Sequence, residues 1–160
     1  VNCAGIAEFS LFQDITDEDW DRMFDINIKG VYRSIQAALP YLMKRERSRI
    51  VTFSSMWGQV GASCESHYAA SKGAVIALTQ SLAKELGPSG VRVNCVSPGT
   101  ILTDMTAVLG QETLDALAEE TPLERNGSPE DAARAAAFLC SEAADFITGQ
   151  VVAVNGGYIV

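Results

Sequence analysis

The chain has 160 residues, 48% of them hydrophobic and 20% charged, a composition that fits one folded domain with a sizeable core and excludes disordered, collagen-like and mucin-like chains. With 20 acidic against 12 basic residues the net charge is -8, which leaves no basic footprint for nucleic acid or an anionic membrane surface. No apolar run approaches the roughly eighteen residues of a spanning helix, and no signal-peptide pattern opens the chain. The expectation is a cytoplasmic protein with neither nucleic-acid nor membrane partners.

The first residue is Val1 rather than Met, and Val1-Asn2-Cys3-Ala4-Gly5 passes straight from apolar residues into a glycine. That pattern suggests a chain entered in mid-strand. Thr16 followed by Asp19 reads as a capping-box-like helix start. Trp20, Met23, Phe24, Ile28, Val31, Ile35 and Leu39 then recur at helical spacing, and Pro40 kinks or ends that long helix. Arg49 to Ser54 is a short apolar strand, and Ser55 to Ser66, with Gly58 and Gly61, has loop character. A second long helix runs from about Tyr68 to Leu86, with Val75, Ile76, Leu78, Thr79, Leu82 and Leu86 facing a core, and Gly87-Pro88 stops it. Val91 to Ser97 is the next strand, closed by Pro98-Gly99. Helices follow around Gln111 to Glu120 and after the N-cap Ser128-Pro129-Glu130-Asp131, and Gly149 to Val154 forms a last strand. Short apolar strands alternating with long helices mark an α/β domain with a parallel sheet.

The four cysteines, Cys3, Cys64, Cys95 and Cys140, lie far apart, and His67 is the only histidine. Neither zinc-ligand spacing nor a disulfide framework is present. Cys95 and Cys140 read as small core residues, and Cys64 as a loop thiol.

Tyr68-Ala69-Ala70-Ser71-Lys72 carries the most chemistry. A Tyr and a Lys four residues apart share one face of a helix. A phenol with an unperturbed pKa near 10 needs a neighbouring cation before it exchanges protons readily at neutral pH. Read alone, the pair is equally a half-buried aromatic beside a solvated lysine. Thirteen residues upstream stands Ser55, at the carboxyl end of a strand, where open parallel sheets bind ligands. A hydroxyl there can hydrogen-bond a carbonyl oxygen while the phenol donates a proton, although a serine at such a place also serves as a plain turn residue.

These residues resemble the short-chain dehydrogenases/reductases. Asn2-Cys3-Ala4-Gly5 is similar to the family's Asn-Asn-Ala-Gly segment, Asn27 in Asp25-Ile26-Asn27-Ile28 to its helix asparagine, and Ser55, Tyr68 and Lys72 to its active-site residues. Val93 to Gly99, followed by Ile101 and Thr103, resembles the strand and turn that meet the nicotinamide. Ile147-Thr148-Gly149-Gln150 with Asn155-Gly156-Gly157 resembles the C-terminal strand signature, with Asn155 where Asp is commoner.

The resemblance implies a three-layer Rossmann-like parallel sheet. Residues 1–160 would be the C-terminal part of that single domain, strands four to seven with flanking helices, without the glycine-rich N-terminal βαβ unit that receives the pyrophosphate. It further implies that Tyr68 exchanges the proton, Lys72 lowers its pKa and holds the nicotinamide ribose, Ser55 binds the substrate oxygen, and Asn27 holds a water leading to Lys72. Pro98, Gly99, Ile101 and Thr103 would meet the nicotinamide side of NADP or NAD, with NADP slightly favoured, and Asn2, Ala4 and Gly5 the adenosine side. The loop Ser55 to Glu65 is most similar to bacterial reductases of 3-oxoacyl-acyl-carrier-protein, with reductases of the 5-aminopentanone group on modified elongation factor P as the alternative. Trp57 there reads equally as a packing residue. Homodimers or homotetramers built on the two long helices are expected, and the same helices allow a non-catalytic oligomerisation module instead.

Overall fold

The computed structural model describes residues 1–160. Three strands, β1 (Ser48–Phe53), β2 (Val91–Pro98) and β3 (Val151–Val154), form one parallel sheet in the order β1-β2-β3. Ser48 pairs with Val91 at one end of the β1–β2 ladder and Pro98 with Val154 at the far end of β2–β3. Residues 1–3 do not extend into the fourth strand expected from sequence. Asn2 alone bridges Thr52 in parallel, its N–H donating to the Val51 carbonyl at 2.8 Å while Phe53 donates back at 3.0 Å. The chain then turns away at Ala4-Gly5 to meet a helix.

Seven helices flank the sheet: α1 (Asp17–Phe24), α2 (Gly30–Leu42), α3 (Trp57–Val60), α4 (Ser66–Leu86), α5 (Asp104–Ala107), α6 (Gln111–Glu120) and α7 (Pro129–Cys140). Parallel neighbours need crossover helices, and α4 and α7 supply them. The residues of β2 alternate across the sheet. Val91, Val93 and Cys95 join Val31 and Ile35 of α2 and Val75, Ala83 and Leu86 of α4 in one core. On the opposite face Val96 packs with Val51 and with Ala136 and Leu139 of α7. Both faces of β2 are covered, which is why it reads as a continuous apolar run. Cys95 is buried in the first core, Cys140 packs against the second, and Cys3 and Cys64 are exposed.

The single long helix expected between Thr16 and Leu39 is broken by a π-turn at Asp25–Lys29. The helix also continues two residues past Pro40 and ends at Leu42. A proline so close to the C-terminus removes only a bond of the final turn. Thr16 and Ser128 cap their helices as expected, each accepting from the N3 amide in a capping box. In the loop expected from Ser55 to Ser66, residues Trp57–Val60 form the short helix α3. Along α4, Val75, Thr79 and Leu86 are fully buried, whereas Ile76, Leu78 and Leu82 pack at the core's edge.

Arg92 was not singled out in the sequence, where it sits inside an apolar strand. Its guanidinium donates to the carbonyls of Leu139, Ser141 and Ala144 at 2.7–3.1 Å and to Asp145. That fork satisfies free carbonyls at the α7 C-terminus, the negative end of the helix, and in the turn that follows it. No helix is long and apolar enough to cross a membrane.

Candidate active site

The site forms where the carboxyl end of β1 meets the start of α4. Ser54 Oγ donates to the Lys72 carbonyl at 2.8 Å, which pins the strand end to the second turn of the helix. Gly58 of α3 lies against the same point, where a Cβ would come within 2.7 Å of the Lys72 carbonyl carbon. Only glycine lets α3 and α4 approach so closely. Ser55, immediately after β1, is buried, and its hydroxyl accepts the Trp57 N–H at 3.2 Å. Beside it is the Tyr68 phenol. The Trp57 ring meets Tyr158 edge-on, with centroids 5.9 Å apart, so the indole packs against the C-terminal segment.

Tyr68 and Lys72 are both buried, and the ammonium lies 5.7 Å from the phenol ring centroid. Lys72 Nζ donates to the Phe53 carbonyl at 3.1 Å. Burial pulls this ammonium below the usual lysine range, with Cys95 and Cys3 opposing weakly. Burial likewise pushes the Tyr68 phenol up. The Ser55 hydroxyl draws it back, and the Glu65 carboxyl pushes it further up. The lowering of Tyr68 expected from Lys72 is not found: the phenol is raised, and burial, which takes the phenolate out of water, is the largest cause.

Asn27 occupies the centre of the π-turn and is 0% exposed, not a solvated helix residue. Its amide nitrogen donates to the Ile6 carbonyl at 2.9 Å and to Ser71 Oγ at 3.0 Å, and its oxygen accepts the Ile6 N–H at 2.8 Å. The side chain clamps the N-terminal segment onto α4. Gly5 passes between the two: a Cβ there would sit 3.1 Å from Lys72 Nζ and 3.2 Å from Asn27 Oδ1. Asn2 is tied to α2 through the Ser34 hydroxyl, and Ala4 is exposed beyond it.

The turn after β2 closes the other side. The Pro98 carbonyl accepts from Met56, and Gly99 donates to the Val154 carbonyl, its missing Cβ giving room to Asn155. Ile101 bridges Gly127, and Thr103 caps α5. The expected residues therefore fall into two groups on one sheet end. Ser55, Tyr68, Lys72, Asn27 and Gly5 converge, whereas Pro98, Gly99, Ile101 and Thr103 line the neighbouring strand end. Ser54, Gly58, Ser71 and Glu65 belong to the same cluster but were not anticipated. The spacing of Ser71 and Glu65 around Tyr68 was the available signal.

A family model described as enoyl-(acyl carrier protein) reductase matches residues 1–159. The 3-oxoacyl-acyl-carrier-protein reductase FabG of Aquifex aeolicus is 45% identical over 157 residues, which is 98% of this chain and 63% of that protein. The chain belongs to the short-chain dehydrogenase/reductase family. Among solved structures, a short-chain dehydrogenase/reductase of the glucose/ribitol dehydrogenase type from Brucella melitensis superposes with a TM-score of 0.94 at 44% identity, covering 98% of this chain and 63% of its own. A gluconate 5-dehydrogenase from Burkholderia cenocepacia, in complex with NADP and tartrate, superposes at 0.92 with 30% identity, over 97% of this chain and 62% of its own. This short-chain dehydrogenase/reductase chain spans less than two thirds of the length of the curated relatives it matches. The family's Rossmann-like architecture, a parallel sheet between two helical layers, is the fold described above.

Proposed function

We propose that the protein is a nicotinamide-dependent oxidoreductase that reduces a carbonyl to an alcohol, with a 3-oxoacyl thioester as first candidate substrate. The observation that carries this reading is a phenol, an ammonium and a hydroxyl buried together at the carboxyl end of β1. Burying a lysine and a tyrosine side by side weakens both charged forms, and such perturbed groups in a cleft mark functional sites. A module that only oligomerised would have no use for that cost.

The residues fit a dinucleotide. Gly5 lies so close to the Lys72 ammonium and Asn27 that a Cβ would be in tight contact with both, which lets the chain backbone run against the ammonium that would hold the cofactor. Lys72 would hold the ribose hydroxyls. Pro98, Gly99, Ile101 and Thr103 would flank the nicotinamide, and Asn2, Ala4 and Gly5 the adenosine side. NADP is the favoured form, in line with the Burkholderia neighbour. The bound nicotinamide supplies the hydride. A glycine-rich βαβ unit on the N-terminal side of Val1 would complete the binding site and the single domain.

Within this chain, Ser55 Oγ donates a hydrogen bond to the substrate carbonyl and orients it toward Tyr68. Tyr68 Oη holds the proton that the developing alkoxide needs. Its raised pKa keeps that proton in place at neutral pH, which suits the reductive direction. Lys72, whose ammonium lies 5.7 Å from the Tyr68 ring centroid, would stabilise the phenolate left behind. Asn27 contributes by fixing Gly5 and Ile6 against α4. Homo-oligomeric assembly and a cytoplasmic setting complete the proposal.

The test is fluorescence titration of the full-length protein with NADPH and NADH, followed by the decay of nicotinamide absorbance on adding a 3-oxoacyl thioester. Binding with turnover supports the reading, and the absence of dinucleotide binding removes it.

A further inference from the structure

The amino end of the sheet, opposite the strand ends that carry the Tyr68 cluster, gathers positive charge in a chain whose net charge is -8. Lys44, Arg45, Arg47 and Arg49 crowd the turn into β1, and Arg49 stands directly opposite Arg92 in the β1–β2 register. Like charges paired across strands repel, and a single carboxylate answers them. Asp145 lies 3.1 Å from Arg92, 3.5 Å from Arg49 and 3.6 Å from Arg47, so three guanidiniums share one acid and two positive charges are left over. Glu46, the acid of the same turn, is exposed and pairs with none of them.

The nearby helix ends use only part of this charge. Arg92 is committed to the carbonyls at the end of α7 and in the turn beyond it. Arg47 reaches Asp145 only beyond hydrogen-bond distance, which leaves its donors free, and Arg49 keeps its Nε sealed from water without a partner. Guanidinium donors without acceptors are relieved by an oxoanion, whose oxygens match their fork. Room for one is present. Arg47, Arg92, Asp145, Thr148 and the fully exposed Phe146 border a cavity of about 560 Å³, a volume in the range of small-molecule sites. Gly87 and Gly90 also border it, and a Cβ on either would meet nothing. A bare aromatic ring beside guanidiniums suits a ligand that carries both a flat ring and a phosphate.

We propose that this cavity is a second ligand site, which takes a nucleotide: Arg47 and Arg92 supply charge and donors to the phosphate, Arg49 adds charge through the shared Asp145, and Phe146 stacks on the base. It lies at the far end of the strands from Tyr68, so its occupant is separate from the dinucleotide of the reductase reading, and the inference does not depend on that reading.

Calorimetric titration of the full-length protein, saturated with NADPH to fill the catalytic site, uses two probes: ADP, and pyrophosphate, which offers the phosphates without the base. Nicotinamide fluorescence that stays constant through the titration shows that the cofactor is not displaced. Both probes should bind at one site per chain. Arg47→Gln, a change at an exposed side chain away from the reacting groups, should weaken both by about 10-fold or more and leave turnover unchanged. Phe146→Ser should weaken ADP by about 5-fold or more and leave pyrophosphate unaffected. Thermal melts of both variants establish folding. No saturable binding of either probe, binding that displaces NADPH, or equal affinities in the wild type and Arg47→Gln overturns the proposal. An ADP affinity that survives Phe146→Ser removes the stacking role and with it the nucleotide, leaving an oxoanion site. If NADPH itself does not bind, the reductase reading falls, and the same titrations without cofactor decide this site.

Discussion

Replacing Gly58 by alanine tests how tightly the site depends on the contact between α3 and α4. A methyl group there would lie 2.7 Å from the Lys72 carbonyl carbon, 2.7 Å from Ser54 Oγ and 2.9 Å from the Gly73 nitrogen. Non-bonded heavy atoms settle near 3.5–4.0 Å, so the two helices must part by about 1 Å. Backbone atoms make up two of the three contacts, and no rotamer change relieves them. Overpacking of this kind costs about 1–3 kcal/mol, and loss of the Ser54–Lys72 hydrogen bond adds about 1 kcal/mol. A total of about 2–4 kcal/mol corresponds to a fall in Tm of roughly 4–16 °C for a domain of this size class. Ser55 moves with β1 and α3, Tyr68 with α4, so the same shift separates the two hydroxyls and lowers kcat by about 100-fold. Gly87→Ala is the control. Its φ of -52 and open surroundings predict no loss and a gain of up to about 1 kcal/mol. Calorimetric melts and initial rates on both variants decide the matter. A Gly58→Ala protein that melts within about 1 °C of the parent and turns over normally would show that this contact does not hold the site.

Tyr68→Phe removes the proton but keeps the ring, so kcat should fall by about 100-fold to 10,000-fold while NADPH titration shows affinity largely retained; undiminished turnover would take Tyr68 out of the mechanism. Asn27→Ala leaves the Ile6 N–H and carbonyl unpartnered at a half-buried point, at about 1 kcal/mol for each group left without a bond, and should raise hydrogen exchange at Ile6 before it affects the sheet. Glu65 binds its proton more tightly folded than unfolded, with a pKa raised from 4.5 to about 7. Its contribution is therefore most favourable below 4.5 and is lost as pH rises toward 7. Glu65→Gln should match the wild-type Tm at pH 4.5 and exceed it at pH 8, and equal melts at both values would refute that burial.

The strands and the crossover helices were legible because burial on both faces writes β2 as a continuous apolar run and α4 as a long periodic helix. The Tyr68–Lys72 spacing was legible for a similar reason, since a helix converts four residues into one face. What the sequence did not disclose were contacts made through the backbone. Gly58 reads as a loop glycine until α4 is laid against it, and Ser54 as a strand residue until its hydroxyl finds the Lys72 carbonyl. Arg92 reads as a break in an apolar strand, and its role at the end of α7 depends on a helix some fifty residues away in the chain. Glu65 carried no local signal beyond its distance from Tyr68, because burial of an N-cap acid is a tertiary property that its neighbours in sequence do not encode.

The π-turn was legible in principle, through arithmetic. Met23, Asn27, Val31, Ile35 and Leu39 all face inward, a strict spacing of four. An α-helix turns about 100° per residue, so sixteen residues from Met23 to Leu39 would carry that line about 160° around the axis and put one end in water. One extra residue in the turn takes up about 100° of this and leaves about 60°, within the width of an ordinary buried stripe. The Asp25–Lys29 π-turn is that extra residue. Asn27 stands at its centre, where a polar residue interrupts the apolar line, and its amide reaches Ser71 on α4 and Ile6 on the N-terminal segment. The helical irregularity and the buried asparagine are therefore one feature: the insertion keeps α2 on the core while aiming Asn27 at the segment that borders Lys72.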